Sequence, residues 1–305
     1  MRILLLGARG QLGRALFSAL RQDWPHWHLV ALGRGECDIT DPRSLADALN
    51  RHRPDVIING AAYTAVDRAQ TEFELAERIN HGAVVTLARE ARAREALLVH
   101  FSTDYVFDGS GTTPWTEEDK PAPLNVYGAS KYAGEQIIQA LCPDHLIFRT
   151  SWLYGGEGGH FARTILDRAR EGRPLKVVDD QWGAPTQVYW LARTVLFALA
   201  QVQTDLDKRG LYHLSCQGET SWHGFASALV REACRLGLLM KPVAVTAIPS
   251  ASWPQAAPRP LNSRLDCRLF STTFDIVLPS WQAQMTDWLI RLRAKSNGAD
   301  REPLP

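Results

Sequence analysis

The sequence predicts an α/β fold in which a doubly wound parallel sheet is followed by a smaller C-terminal α/β lobe. Short apolar runs recur at residues 2–6, 29–32, 56–59, 97–101 and 146–148. Segments with helical apolar spacing separate these runs, and strands that alternate with helices form right-handed crossovers in a parallel sheet covered on both faces. Beyond about residue 152 the chain changes to loops rich in glycine, proline and tryptophan, interleaved with helices.

The first predicted strand runs directly into a glycine-rich turn. Gly7, Gly10 and Gly13 follow the run 2–6, and apolar residues at helical spacing come next. Glycines permit positive φ and close backbone approach, and the N–H groups at a helix start suit a pyrophosphate. The turn therefore predicts a dinucleotide site of the Rossmann type. The alternative is a glycine turn that binds no ligand.

The later elements suggest a division of the chain. Apolar spacing predicts helices over 45–50, 73–94, 126–141, 161–170 and 222–236. We predict a dinucleotide-binding domain over 1–151, a mainly substrate-binding lobe over 152–295 with some chain returning to the first sheet, and a flexible tail over 296–305. The tail is polar and contains prolines, which is typical of mobile termini.

A hydroxyl, a phenol and an amine form the candidate catalytic group. Thr103 follows the run 97–101, and the carboxyl ends of parallel strands are where ligands bind. Tyr127 and Lys131 are four positions apart, so in a helix over 126–141 they share one face. An ammonium beside a phenol lowers the phenol's pKa from about 10 toward neutral pH, as proton donation requires. In a chain this long, Tyr-x-x-x-Lys alone is also a chance pattern.

The composition argues against several kinds of partner. Lys and Arg number 34 against 33 Asp and Glu, so neither nucleic acid nor an anionic membrane is implied. The five cysteines are scattered, and none of the nine histidines has a ligand spacing, so we predict no metal. No leader pattern follows Met1, and no apolar run approaches about 18 residues. With reduced thiols, these features predict a soluble cytoplasmic protein.

The glycine spacing G-x-x-G-x-x-G, taken with Thr103, Tyr127 and Lys131, resembles the extended short-chain dehydrogenase/reductase family. The match continues through 102–107, 123–128, 148–152, 180–186 and 262–265, and so covers nearly the whole chain. The resemblance implies that NAD(P)H reduces the C4 keto group of dTDP-4-dehydro-6-deoxy-L-mannose to give dTDP-L-rhamnose, the last step of dTDP-rhamnose biosynthesis. It implies that Tyr127 donates a proton to the carbonyl, Lys131 binds the nicotinamide ribose, and Thr103 helps to hold the carbonyl.

The same resemblance implies a set of cofactor contacts. They are Gly7, Gly10, Gln11, Leu12 and Gly13 at the pyrophosphate, Asp38 and Ile39 near the adenine, Ala62, Tyr63 and Thr64 after the third strand, and Tyr127 and Lys131 at the nicotinamide. After the second strand, the residues 32–34 offer no carboxylate for a ribose 2′-hydroxyl, whereas Arg34 suits a 2′-phosphate. We therefore expect NADPH, with NADH as a second cofactor. The alternative is an Arg34 that only faces solvent.

For a nucleotide-sugar substrate, the resemblance implies contacts from Thr103, Asp104, Trp152, Arg259 and Asn262. The wide apolar face of Trp152 matches a sugar or base, although in a chain with ten tryptophans a core position is the alternative. A guanidinium such as that of Arg259 suits a diphosphate. Pro258 stands where the family often has a second arginine.

Some family members hold magnesium between acidic side chains at a dimer interface. This chain has Arg14 in the first of those neighbourhoods and the stretch 188–190 in the second. We therefore expect no magnesium, and the chain is expected to be a monomer or a homodimer.

Other functions are known on this scaffold. A 4-epimerase, in which the keto intermediate turns over and takes the hydride back, or a related 4-ketoreductase is an alternative that the sequence leaves open. A 4,6-dehydratase typically has an acidic residue after the Thr-Asp pair, where this chain has Tyr105, which argues against elimination. A non-catalytic regulatory subunit would keep the fold without the chemistry.

Overall fold

The computed structural model describes residues 1–296. The strands are β1 Arg2–Leu6, β2 His28–Leu32, β3 Val56–Asn59, β4 Leu97–Thr103, β5 His145–Thr150, β6 Leu153–Tyr154, β7 Leu175–Val178, β8 Trp182–Gly183, β9 Thr186–Gln187, β10 Gly210–His213, β11 Thr220–Ser221 and β12 Val245–Ile248. The helices are α1 Gln11–Asp23, α2 Pro42–His52, α3 Val66–Ala69, α4 Phe73–Glu77, α5 Ala83–Ala93, α6 Val126–Leu141, α7 Phe161–Arg170, α8 Val188–Val202, α9 Trp222–Arg235, α10 Arg268–Phe274 and α11 Trp281–Ser296.

Six parallel strands form the central sheet, in the order β10-β5-β4-β3-β1-β2. Successive side chains of β1 enter different cores. Ile3 and Leu5 pack with α1, α8 and α10, whereas Leu4 and Leu6 pack with α2, α5 and α6. Helices therefore cover both faces, which confirms the doubly wound α/β prediction. The strand order reverses at β1, so the ligand crevice of such a sheet lies at the carboxyl ends of β1 and its neighbours.

A second apolar core lies in the later part of the chain. It joins α7, α9 and α11 around Tyr154, Phe225 and Trp288. Three two-stranded sheets accompany it, namely β6 with β9, β7 with β12, and β8 with β11. The predicted boundaries after residues 151 and 295 stay predictions. Of the predicted tail 296–305, only Ser296 is described, as the last residue of α11; the rest lies outside the described residues.

The helix predicted over 73–94 is interrupted. A π-helical turn, Arg78–Gly82, separates α4 from α5, and Asn80 lies inside it. The Asn80 side chain accepts the backbone N–H of Tyr63 at 2.8 Å and donates to the Tyr63 carbonyl at 3.0 Å. Gly134 of α6 packs on the same turn, since a Cβ there would lie 2.4 Å from the Asn80 carbonyl oxygen. The wider π-helical turn thus places the side-chain amide of Asn80 where it bonds both backbone groups of Tyr63, in the chain after β3.

The glycine turn is packed too tightly for side chains. Gly7 has a φ of +71°, and a Cβ there would lie 2.5 Å from the backbone nitrogen of Ala61. A Cβ on Gly13 would lie 2.2 Å from the carbonyl oxygen of Gly7. These contacts hold the start of α1 against the turn and the turn against the chain after β3, as a pyrophosphate cradle requires.

Within residues 1–296, every helix is too short or too polar to cross a bilayer.

We expect Gly13→Ala to lower the free energy of unfolding by about 2–3 kcal/mol, because the added methyl overlaps the backbone of Gly7. Urea unfolding without ligand measures this change. Gly35→Ala is the matched control, since a Cβ at Gly35 meets nothing within 4 Å. Equal stability of the two variants would contradict the packing described for the turn.

Candidate active site

Thr103 and Tyr127 meet at the carboxyl end of β4. Thr103 is the last residue of β4, and its hydroxyl accepts the backbone N–H of Tyr105 at 3.1 Å. The Tyr127 hydroxyl is hydrogen-bonded to Thr103. Asn125 caps α6 by accepting the Gly128 N–H at 2.8 Å. A Cβ on Gly128 would lie 2.1 Å from the Tyr105 carbonyl oxygen, so glycine lets α6 come close enough for the two hydroxyls to meet.

We expected Lys131 to lower the pKa of Tyr127, and this expectation is wrong: the protein groups around Tyr127 raise its pKa. Burial raises the pKa of Tyr127 to about 12, and the opposing effect comes from the hydrogen bond with Thr103. Lys131 is 2% exposed, and its Nζ lies 3.1 Å from Nε2 of His100. Burial also lowers the pKa of Lys131 to about 8, against the charge of Glu135. Burial is therefore the largest influence on the pKa of Tyr127, and Lys131 is not among the groups that shift it.

His100 and Asn59 are polar residues of the site that the sequence prediction missed. They are opposite each other in the β3–β4 register, and both are 1% exposed. Asn59 Nδ2 lies 3.1 Å from His100 Nδ1, and Asn59 Oδ1 accepts the N–H of Ala61 at 3.2 Å. Burial, with the charge of Lys131, lowers the pKa of His100 well below its usual value. In the sequence, both residues stand in apolar runs that look like ordinary core strands.

Asp104 is buried beside the two hydroxyls. Its Oδ1 accepts from the Thr103 hydroxyl at 2.9 Å, whereas its Oδ2 has no hydrogen-bond partner. Burial raises its pKa to about 7, and the side chains of Ser263 and Thr103 oppose that rise. A buried carboxyl with an unpartnered oxygen is suited to a polar group of a ligand.

A cavity of about 260 Å³ lies at the carboxyl ends of β1 and β3, over the glycine turn. The predicted cofactor residues that line it are Gly7, Gly10, Arg34, Asp38, Ile39 and Ala62. Asp38 accepts from the hydroxyl and the N–H of Thr40, which lowers the pKa of Asp38. The residues that the sequence predicts to bind the adenosine half of a dinucleotide therefore line this one cavity.

Several predicted cofactor residues outside this cavity have other partners. Gln11 donates to the carbonyl of Gly155 at 2.7 Å, and Leu12 is buried in the core between the sheet and α8. The Tyr63 hydroxyl donates to Glu72 at 2.6 Å, whereas Thr64 is exposed. Of these four residues, Leu12 and Tyr63 have buried side chains. Any contact of these two residues with the cofactor would therefore come from their backbone atoms.

The expectation that no carboxylate stands at the end of β2 needs correction. A tight turn after β2 brings back the carboxylate of Glu36, which accepts the Gly33 N–H at 2.9 Å and pairs with Arg9. The Arg34 side chain is 75% exposed, and its Nε lies 3.6 Å from Asp38. The cavity rim therefore carries two arginines and two carboxylates, and the position of Glu36 in the sequence gives no direct sign that it returns to the end of β2.

The predicted substrate residues lie around the same edge and are engaged within the protein. Arg259 makes a two-point ion pair with Asp67, with both N···O distances 2.8 Å. Asn262 donates to the carbonyls of Ser110 and Thr113. Its side chain therefore clamps the loop that follows β4.

Trp152 is 8% exposed, with its ring stacked on Trp222 at 3.6 Å. A Cβ on Gly183 would lie 2.6 Å from the same ring, so the indole has neighbours besides Trp222. The backbone of Trp152 has a φ of +48°, an unusual conformation for a tryptophan. Packing on Trp222 and Gly183 covers much of the Trp152 ring. Its contact with the substrate stays a prediction.

Among residues 1–296, no group of three or more His, Cys, Asp and Glu side chains could hold a metal ion. Arg14, in the neighbourhood where family members have a magnesium ligand, pairs with Glu157. The absence of a metal stays a prediction.

Comparison with known proteins gives consistent matches over nearly the whole chain. The family model described as the RmlD substrate binding domain matches residues 1–294. A dTDP-4-dehydrorhamnose reductase of Salmonella typhimurium is 43% identical over 286 residues, which cover 92% of this chain and 95% of that protein.

Solved structures agree. A crystal structure of a dTDP-4-dehydrorhamnose reductase from Clostridium acetobutylicum is 35% identical, with a TM-score of 0.88, and the match covers 96% of this chain and all of that chain (100%). The corresponding reductase from Bacillus anthracis, in complex with NADP, is 34% identical with a TM-score of 0.87, over 95% of this chain and 99% of that chain.

We expect the buried carboxyl of Asp104 to make stability fall as pH rises from about 4 to about 7. Its folded-state pKa is raised from 3.8 to about 7, so the folded protein holds a proton that the unfolded chain has released. The loss is at most several kcal/mol, at about 1.4 kcal/mol for each pH unit. The measurement is the difference in unfolding free energy between wild type and Asp104→Asn across this range. A difference that does not vary with pH would contradict the assignment.

Proposed function

The chain belongs to the RmlD substrate binding domain family, and from this premise we propose that it reduces the C4 keto group of dTDP-4-dehydro-6-deoxy-L-mannose to dTDP-L-rhamnose with NADPH. The observation that carries the proposal is the pair of hydroxyls of Thr103 and Tyr127 at the carboxyl end of β4, with the amine of Lys131 one turn further along α6. They lie at the edge of the sheet that also carries the glycine turn. A proton donor and a dinucleotide cradle at one edge are what a ketone reduction needs.

The proposed chemistry assigns each group a part. NADPH supplies the hydride, which adds to C4 and leaves negative charge on the carbonyl oxygen. The Tyr127 hydroxyl gives its proton to that oxygen, and the Thr103 hydroxyl stabilises the charge by a hydrogen bond. With its pKa raised to about 12 by burial, Tyr127 is a phenol at neutral pH and so carries the proton to be donated, although this pKa makes it a weaker acid than the sequence predicts.

The residues of the glycine turn fit a dinucleotide. The close contacts at Gly7 and Gly13 leave the backbone of the turn bare at the start of α1, where N–H groups can meet a pyrophosphate. Arg9 and Arg34 stand at the rim of the adjoining cavity and suit a 2′-phosphate. Glu36 pairs with Arg9 and suits a free 2′-hydroxyl, which supports use of NADH as a second cofactor.

The sugar and the diphosphate are assigned to two different residues near the hydroxyl pair. The unpartnered Oδ2 of Asp104 is offered to a sugar hydroxyl. Arg259 is offered to the diphosphate, and Asp67 already neutralises it, so diphosphate binding has to replace or share that ion pair. Asn262 acts by holding the loop after β4 in place. Trp152 contacts the substrate with the part of its ring that is not packed on Trp222.

We also propose a cytoplasmic location, supported by five cysteines that are all free thiols. A monomer and a homodimer both remain compatible with this function.

We expect Tyr127→Phe to lower kcat by about 10²–10⁴-fold, because it removes the proton donor and keeps the ring. The assay follows NADPH oxidation with the dTDP-4-keto sugar supplied fresh, and identifies the product as dTDP-L-rhamnose. Tyr132→Phe is the control, because five positions place Tyr132 on another face of α6.

An unchanged rate in Tyr127→Phe would refute the proposed mechanism. If the wild type binds NADPH but leaves the sugar unreduced, a 4-epimerase would be recognised by interconversion of epimers with no net oxidation, and a regulatory subunit by no conversion at all.

We expect Glu36→Gln to raise the ratio of kcat/KM for NADPH over NADH by about threefold or more, because it removes the negative charge beside Arg9. Steady-state kinetics with both cofactors measures the ratio. Glu171→Gln is the matched control, since Glu171 also pairs with an exposed arginine, Arg173, in the later part of the chain. A ratio that moves equally in both variants would exclude a local role for Glu36.

A further inference from the structure

We propose that His100 is a positioning residue that fixes the Lys131 amine and governs its proton: Asn59 holds the imidazole as the Nε2–H tautomer, which donates to Lys131 Nζ. The functional part of this inference rests on the proposed reductase activity. The proposed mechanism gives His100 no direct role. Its ring is buried in the sheet and contacts the Lys131 amine.

The orientation of the Asn59 amide is the first step. Its Oδ1 accepts the N–H of Ala61 at 3.2 Å, so its Nδ2 faces His100 Nδ1 at 3.1 Å. Turning the amide over would place its NH₂ group against the N–H of Ala61, which is two donors in contact. Asn59 therefore donates to Nδ1.

The tautomer of His100 follows from this orientation. A neutral imidazole that accepts at Nδ1 carries its proton on Nε2. Charging the ring is opposed by its burial and by Lys131. The Nε2–H therefore points at Lys131 Nζ, 3.1 Å away, and that contact is a hydrogen bond when Nζ is a neutral amine with a lone pair.

A proton on Lys131 reverses the arrangement. An ammonium has three donors and no acceptor, so it needs Nε2 as acceptor, with the ring proton moved to Nδ1. Nδ1–H then requires the oxygen of Asn59, which is bonded to Ala61. Because Ala61 lines the adenosine cavity, the proton on Lys131 is coupled to the backbone of the cofactor site. His100 transmits that coupling through two hydrogen bonds.

Other charged groups face Lys131 and must be separated in any test. On α6, Tyr127 precedes it by one turn, and Glu135 follows it by one turn and favours the ammonium. On β5, Arg149 pairs with Glu135 at 2.7 Å, which offsets that charge. After β4, Asp104 has a pKa of about 7 and titrates in the same range as Lys131.

The direct test is the tautomer of His100 in the protein without substrate. Nitrogen-15 NMR of histidine-labelled protein separates the two tautomers by the shifts of Nδ1 and Nε2, and His100→Gln identifies the signal. Above the ionisation of Lys131 near pH 8, where Nζ is a neutral amine, we expect Nε2–H in the wild type and Nδ1–H in Asn59→Asp, where a carboxylate replaces the donating amide. A wild-type Nδ1–H signal at that pH would overturn the proposal. This readout needs no turnover, so it fails or succeeds independently of the proposed function.

The functional test is the pH dependence of kcat/KM in an Asp104→Asn background, which removes the nearby carboxyl. We expect Asn59→Asp to move the ionisation near pH 8 upward by about one unit or more, because Nε2 then accepts from the ammonium. His100→Phe should lower kcat by about 10²-fold through loss of the amine's position. His145→Gln, which removes a partly buried histidine on β5, should change neither. An unshifted ionisation in Asn59→Asp would overturn the coupling.

Discussion

Desolvation at the carboxyl end of β4 is the constraint on which the candidate site depends. Asp104, Lys131 and His100 are almost fully buried, Tyr127 beside them is partly buried, and desolvation is the largest cause of every pKa change among them. Each group is pushed toward its neutral form. The phenol therefore keeps the proton that it is proposed to donate, and the amine and carboxyl titrate close to neutral pH. The tight contact of Gly128 with the Tyr105 carbonyl holds α6 against the turn after β4 in this region.

A buried ion pair supports the same region from behind. Arg149 of β5 binds Glu135 of α6 through two nitrogens, and both residues are almost fully buried. His213 of β10 lies 3.3 Å from the same guanidinium, and the Phe107 ring packs over it. Removing one partner of such a pair costs far more than the pair contributes, because an uncompensated charge is left in the core. The later strand β10 thereby becomes part of the support for α6.

The sequence predicted much of the scaffold and less of the electrostatics. The bounds of α6 are as predicted, because Asn125 is a strong N-cap and the apolar spacing continues to residue 141. The π-helical turn at Asn80 has no signature in a regular helical pattern. His100 and Asn59 meet only through the strand register, which the sequence of either strand alone does not contain. The predicted direction of the Tyr127 pKa shift is wrong, because residue spacing indicates which groups are neighbours and not how deeply they are buried.

Cofactor selection and folding are separate tasks in this chain. Three side chains at the rim of the cavity over the glycine turn, those of Arg9, Arg34 and Glu36, are largely exposed and form ion pairs with one another or with Asp38. Substitutions of exposed residues usually change stability by no more than about 0.5 kcal/mol. If the proposed roles of these side chains hold, a descendant of this chain could exchange one dinucleotide for the other by drift on a single surface turn, while the core beneath the proposed hydroxyl pair is inherited intact.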